Sequence, residues 1–186
     1  MRAKDQVVGI YLGAYKANLP GYNIIYQDIN GKRDLPGDML CVDLEDYDYI
    51  ICTPPCNWWS RANWRRDSSM YSQQTKLLLV SMLYRLALLH KPFIVENVRN
   101  DKRFNEYLLF QIPGVRYFVV GRHTYWTNIC FRSDDIVQKP LVEIREGKRI
   151  WLSSQNINRE RRQGTNEVNV VIERFIKTIY EDVFEI

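Results

Sequence analysis

Apolar and polar positions follow two rhythms along this chain, and each change of rhythm marks an element. Val7 to Leu12 is an apolar run of strand length. Asn23-Ile24-Ile25-Tyr26 predicts a second strand, ending at Asp28 before an Asn30-Gly31 turn. Tyr47 to Cys52 reads as a buried strand that runs straight into Thr53-Pro54-Pro55. Proline cannot donate to a ladder, so the strand ends there. Tyr71 to His90 predicts the strongest helix. From Leu77 to Leu89 almost every position is apolar except Ser81 and Arg85, which predicts a nearly buried helix packed on a sheet. Lys91-Pro92 stops it, and Phe93-Ile94-Val95 begins the next strand.

Two apolar strands without alternation, joined by a helix, predict a parallel sheet. Downstream, Asp101 to Phe110 predicts a helix, and Val115 to Val120 with Thr124 to Phe131 a pair of strands. Leu141 to Ile144 and Arg149 to Leu152 alternate around Glu146-Gly147, the pattern of a hairpin. A final helix is expected to open at Thr165. Val168, Val171, Ile172, Phe175 and Ile179 share one of its faces, and Glu173 with Lys177 adds an i,i+4 pair. Ser153 to Gln163 is polar and basic and is the candidate for a disordered stretch. The fold class expected is α/β: a mostly parallel sheet with helices on both faces, a small C-terminal hairpin and a returning helix.

Composition narrows the setting. The 186 residues are 46% hydrophobic and 26% charged, the balance of one ordinary globular domain spanning residues 1–186. A net charge of +4 permits a polyanionic partner without requiring one. No apolar run is long enough to span a membrane, and Met1 to Gln6 has no signal-peptide character. With four cysteines and no secretory signal, reduced thiols and a cytoplasmic location are expected.

Ligands of parallel sheets sit at the carboxyl ends of strands. Cys56 and Glu96 both follow such ends, one crossover apart, so the two should share a rim. A thiolate beside a carboxylate suits attack on an electron-poor ring whose nitrogen the acid holds. The bland alternatives are an inert buried thiol and a carboxylate that caps a turn or pairs with Arg99. Cys41 and Cys130 read as core. Cys52 and Cys56 lack a second Cys or His pair at ligand spacing, so no metal site is expected. Trp58, Trp59 and Trp64 alternate with Arg61, Arg65 and Arg66 just after the cysteine. They either stack on bases and grip phosphates or roof the core beneath solvated arginines. Arg159, Arg161 and Arg162 are likewise a phosphate grip or a solvated face. His123 either tunes a site or lies on the surface, and His90 is expected to cap the long helix.

Thr53-Pro54-Pro55-Cys56-Asn57-Trp58-Trp59-Ser60, with Val95-Glu96-Asn97-Val98 after it, resembles the catalytic loops of the DNA (cytosine-5) methyltransferases. The resemblance implies a Rossmann-like methyltransferase fold. It implies that Cys56 adds to cytosine C6, that Glu96 holds the base at N3, and that Arg122 supports the base pocket from Gly121-Arg122-His123-Thr124-Tyr125-Trp126. S-adenosylmethionine is the implied cofactor, held by Asp28 at its ribose, by Asp38 and the Asp48-Tyr49-Ile50-Ile51 segment near its adenine, and by Pro54. Asn166, in Gln163-Gly164-Thr165-Asn166-Glu167-Val168, matches the family's late Gly-Asn motif beside the cofactor. DNA is the implied partner, with Ser60, Arg61, Arg65 and Arg66 on its phosphates.

Three departures accompany this. Ile10-Tyr11-Leu12-Gly13-Ala14-Tyr15 carries one glycine where the family's loop carries two, and Pro20-Gly21 cuts short the helix expected after it. Arg122-His123-Thr124 stands where the family has Arg-x-Arg. The stretch from about 131 to 163 is short for a target-recognition insert. A minimal enzyme of phage or mobile-element type is therefore one reading, with weak cofactor binding and slight sequence preference. A pyrimidine-modifying enzyme for a non-duplex substrate is another. A degenerate fold that binds nucleic acid, alone or with a partner chain or as a homo-oligomer, is the third.

Overall fold

A computed structural model describes residues 7–14, 17–60, 63, 67–99, 102–130, 142–145, 148–151 and 157–184, the last three segments up to residue 167 by their backbone path alone. Among these, β1 (Gly9–Leu12), β2 (Ile24–Asp28), β3 (Leu35–Pro36), β4 (Tyr49–Cys52), β5 (Phe93–Val98), β6 (Arg116–Val120) and β7 (His123–Thr127) form one sheet. Their order is β3-β2-β1-β4-β5-β7-β6. The pairs β2/β3, β1/β2, β1/β4 and β4/β5 are parallel. β7 runs antiparallel to both β5 and β6. The fold is thus α/β with a mostly parallel sheet, consistent with the Rossmann-like class and with a strand-order switch between β1 and β4.

Side-chain alternation along the strands builds two cores. Tyr11, Tyr49, Ile51, Ile94 and Tyr125 face α3 (Ile157–Phe184), which covers them with Val171, Ile172, Phe175 and Ile176. Ile10, Leu12, Ile50, Cys52, Phe93, Val95 and Trp126 face the other way. There α1 (Met70–Leu88) and α2 (Lys102–Gln111) cover them with Leu79, Met82, Leu83, Leu86 and Leu108. Helices therefore lie on both faces. A separate hairpin, β8 (Val142–Arg145) with β9 (Lys148–Trp151), forms its own two-stranded sheet.

Several expectations need correction. Helix α1 is not nearly buried: Met70, Leu77, Tyr84 and Leu88 are exposed on its outer side. The apolar run exceeds what one helix face against a sheet can cover. Helix α3 starts at Ile157, well before Thr165, because Arg, Glu and Gln are good helix formers even without an apolar stripe. Part of the stretch expected to be disordered is therefore helical. Cys41 and Cys130 are exposed rather than core, and Cys130 accepts a contact from Arg116 Nη1 at 3.1 Å. His90 follows α1 with φ of 53°, so it ends the helix by its left-handed backbone. All four cysteines are free thiols.

Candidate functional site

The site is built on the carboxyl ends of the parallel strands. Register places Leu12 beside Cys52 and Cys52 beside Val95, so Gly13, Thr53 to Cys56 and Glu96 emerge on one rim. The link between β4 and β5 continues past the ladder. Asn97, buried, donates from Nδ2 to the Pro54 carbonyl at 2.9 Å. The loop bearing Cys56 is thereby tied to the strand bearing Glu96. Ser60 N–H donates to the Cys56 carbonyl at 2.8 Å and closes a turn over the cysteine. Cys56 itself is exposed.

Burial pushes the Glu96 carboxyl up to about 7 from its ordinary 4.5, so near neutral pH much of it is the neutral acid. The Cys56 thiol is raised, first by what burial it has and then by the Glu96 carboxylate. Burial, and then Glu96, also raises Tyr11 on β1 and Cys52 on β4. These shared causes place Glu96 at the centre of the group. His123 Nε2 is 3.8 Å from Glu96 Oε1, and burial followed by Arg122 lowers its imidazole.

The remaining residues fall in three groups. Asp28, at the carboxyl end of β2, is 3% exposed, and its carboxylate accepts from Asn30 N–H at 3.2 Å and Asn30 Nδ2 at 3.4 Å. Those are long contacts for so buried a carboxylate, which leaves acceptor capacity. Register pairs Asp28 with Pro36, so Asp38 lies just beyond on the same end of the sheet. Asp38 is exposed, and its Oδ1 accepts from Leu40 N–H at 2.9 Å. Arg122 is exposed at the tip of the β6–β7 hairpin, where Gly121 takes φ of 53°. Its carbonyl accepts from Arg99 N–H at 2.6 Å, and its charge bears on His123. The third group, Arg61, Arg65, Arg66 and the side chain of Asn166, lies outside the described residues.

The tryptophans divide. Trp59 packs on Phe104 with ring centroids 4.3 Å apart and joins the α1/α2 core, so for it the roofing role holds. Trp58 is half-buried beneath the Lys76 ammonium, 4.7 Å from its ring centre.

Gln27 and the roles of Asn97 and His123 escaped sequence reasoning. Gln27 accepts from Gly13 N–H at 2.9 Å and donates to the Gly37 carbonyl, bridging the loops after β1 and β3. Its place before Asp28 was the available signal. Asn97 sits inside the Glu-Asn-Val motif, yet its reach to Pro54 depends on the pairing of β4 with β5. His123 meets Glu96 only through the antiparallel turn of β7, which no local pattern announces. Among the described residues, no cluster of three or more His, Cys, Asp or Glu could hold a metal ion, and no helix is long and apolar enough to cross a membrane. A scan against protein-family models finds no match, and no curated protein matches the sequence.

Proposed function

We propose that this chain is a cytosine-5 methyltransferase-like enzyme with a Rossmann-like methyltransferase fold, acting on DNA through Cys56 and Glu96. The observation that carries this is the pairing of an exposed thiol with a buried carboxyl on one rim, their two segments tied together by the Asn97–Pro54 hydrogen bond. Cytosine C5 is a poor nucleophile. Addition of the Cys56 thiolate to C6 forms an Sγ–C6 bond and turns C5 into an enamine carbon. Glu96, as the acid, donates to N3 and offsets the negative charge that the addition puts on the ring. Once C5 carries the methyl group, water takes the C5 proton, the C–H electrons expel the Cys56 thiolate, and N3 returns its proton to Glu96, which restores the aromatic ring. In duplex DNA the base must first be flipped out, at a cost of about a few kcal/mol.

S-adenosylmethionine supplies the methyl group when bound. The fit of the chain to it differs between its two ends. Asp28, with unspent acceptor capacity, suits ribose hydroxyls, and Asp38, Pro54 and Asn166 complete the set the family resemblance implies. At Gly13, φ is +78° and an added Cβ would lie 2.5 Å from the Thr53 carbonyl oxygen. The glycine's open side is filled by the chain itself. The raised thiol and this filled glycine favour a second reading, a methyltransferase-fold protein that binds nucleic acid without chemistry.

Two measurements separate the readings. Incubation with S-adenosylmethionine and cytosine-containing DNA, duplex and single-stranded, should yield 5-methylcytosine, and DNA carrying 5-fluorocytosine should form a covalent adduct that Cys56→Ser abolishes. Absence of both, with DNA binding retained, selects the non-catalytic reading.

A further inference from the structure

Glu96 has an immediate neighbour that the cysteine chemistry does not use. β7 pairs Glu96 with Tyr125 and Val98 with His123. His123 is therefore the diagonal neighbour of Glu96 on the same face of the sheet. The two side chains are 14% and 21% exposed, with Nε2 and Oε1 3.8 Å apart. The other ring nitrogen, Nδ1, is buried and has no hydrogen-bond partner among the described residues. A buried polar atom left so calls for a reason.

An ion pair is the obvious assignment for this contact, and the surroundings oppose it. The groups whose charges couple to Glu96 are Tyr11 from β1, Cys52 from β4 and Cys56 from the loop beyond, and Tyr125 is its partner on β7. None is a cation. Arg122 adjoins His123 and disfavours a charged imidazole. Both partners are thus pressed toward their neutral forms, and a neutral carboxyl beside a neutral imidazole has one natural arrangement: O–H donating to nitrogen.

We propose that His123 is a positioning residue for Glu96: its neutral imidazole accepts the carboxyl hydrogen at Nε2, holding Glu96 as the acid that donates to the ring nitrogen of a pyrimidine. The proposal rests on the cytosine reading of the site. The present separation exceeds a hydrogen bond, and such bonds are often long before the ligand arrives. With Nε2 as acceptor, the ring hydrogen lies on Nδ1, the atom without a partner among the described residues. When the base binds, its nitrogen replaces the imidazole as acceptor, so no proton is gained or lost by the pair.

The test is a titration of the free, full-length protein by nuclear magnetic resonance, following the Glu96 carboxyl carbon and the His123 ring nitrogens. In the wild type, both signals should move at the same pH, with the hydrogen on Nδ1 below it. His123→Leu keeps the site buried and removes the acceptor, so the Glu96 step should move down by about one pH unit, a tenfold loss of proton affinity. Burial alone predicts no movement, or a rise. Independent titration in the wild type, or an unmoved or raised Glu96 step in the variant, overturns the proposal. The wild-type measurement needs no substitution, so a variant that fails to fold does not shield it. Co-titration without methyl transfer defeats the cytosine reading alone. Methyl transfer whose pH profile is unchanged in His123→Leu defeats this inference alone.

Discussion

Glu96→Gln should stabilise the protein at neutral and alkaline pH and do little in mild acid. The glutamine keeps the shape and the burial while removing the ionisation. In the unfolded chain the carboxyl ionises near its ordinary 4.5; in the folded protein it does so at about 7. The folded pKa is raised, so the linked stability is fully present below 4.5 and is lost as pH rises through 7. At about 1.4 kcal/mol per decade, the full loss is about 3 kcal/mol. Residual exposure of 14% makes this a ceiling. At pH 5 the loss is under about 1 kcal/mol. Urea denaturation of both proteins at pH 5 and pH 8 gives the difference directly, and ionisations common to both cancel. The gap should open by about 2 kcal/mol between the two pH values. A gap that is the same at both would mean that Glu96 ionises as an ordinary carboxylate, and its role as an acid would fall with it.

Other outcomes follow from single contacts. Asn97→Ala leaves the Pro54 carbonyl without its 2.9 Å donor and should lower stability by about 1–3 kcal/mol, read by thermal melting; an unchanged melt would show that the tie carries nothing. Gly13→Ala places a Cβ 2.5 Å from the Thr53 oxygen at φ of +78° and should cost about 1–3 kcal/mol in a denaturation series, whereas a neutral result would mean that the two loops separate freely. Alkylation of Cys56 by iodoacetamide, identified by its absence in Cys56→Ser, should be faster in Glu96→Gln than in the wild type above pH 7 and equal well below it. Equal rates throughout would show that the carboxylate does not govern the thiol.

How much could be read beforehand depended on how local each signal was. The β4–α1–β5 unit was legible because proline ends a strand wherever it falls, and a long apolar run between two strands has few other uses. The rim shared by Cys56 and Glu96 followed from that unit alone. β3 was not legible: it is two residues, Leu35 and Pro36, made a strand only by pairing with Gln27 and Asp28. The exposed side of α1 was missed because Leu77 and Leu88 look the same in sequence whether they meet a sheet or water. The raised Cys56 thiol was not legible either: its causes are burial first and then Glu96, across the sheet, and no window of sequence contains them.

The tie from Asn97 to Pro54 also bears on what heat does to this protein. Loops that carry reactive groups usually loosen at temperatures where the scaffold is still intact, so an enzyme can fall silent while its spectra still look native. Here the backbone just before the cysteine is fastened to a strand in the middle of the sheet, by a bond closed off from water. Freeing it means breaking a buried hydrogen bond at the end of the β4–β5 ladder. Inactivation on warming should therefore track the cooperative melt itself, and cooling a partly heated sample should restore the reactive thiol and the sheet together.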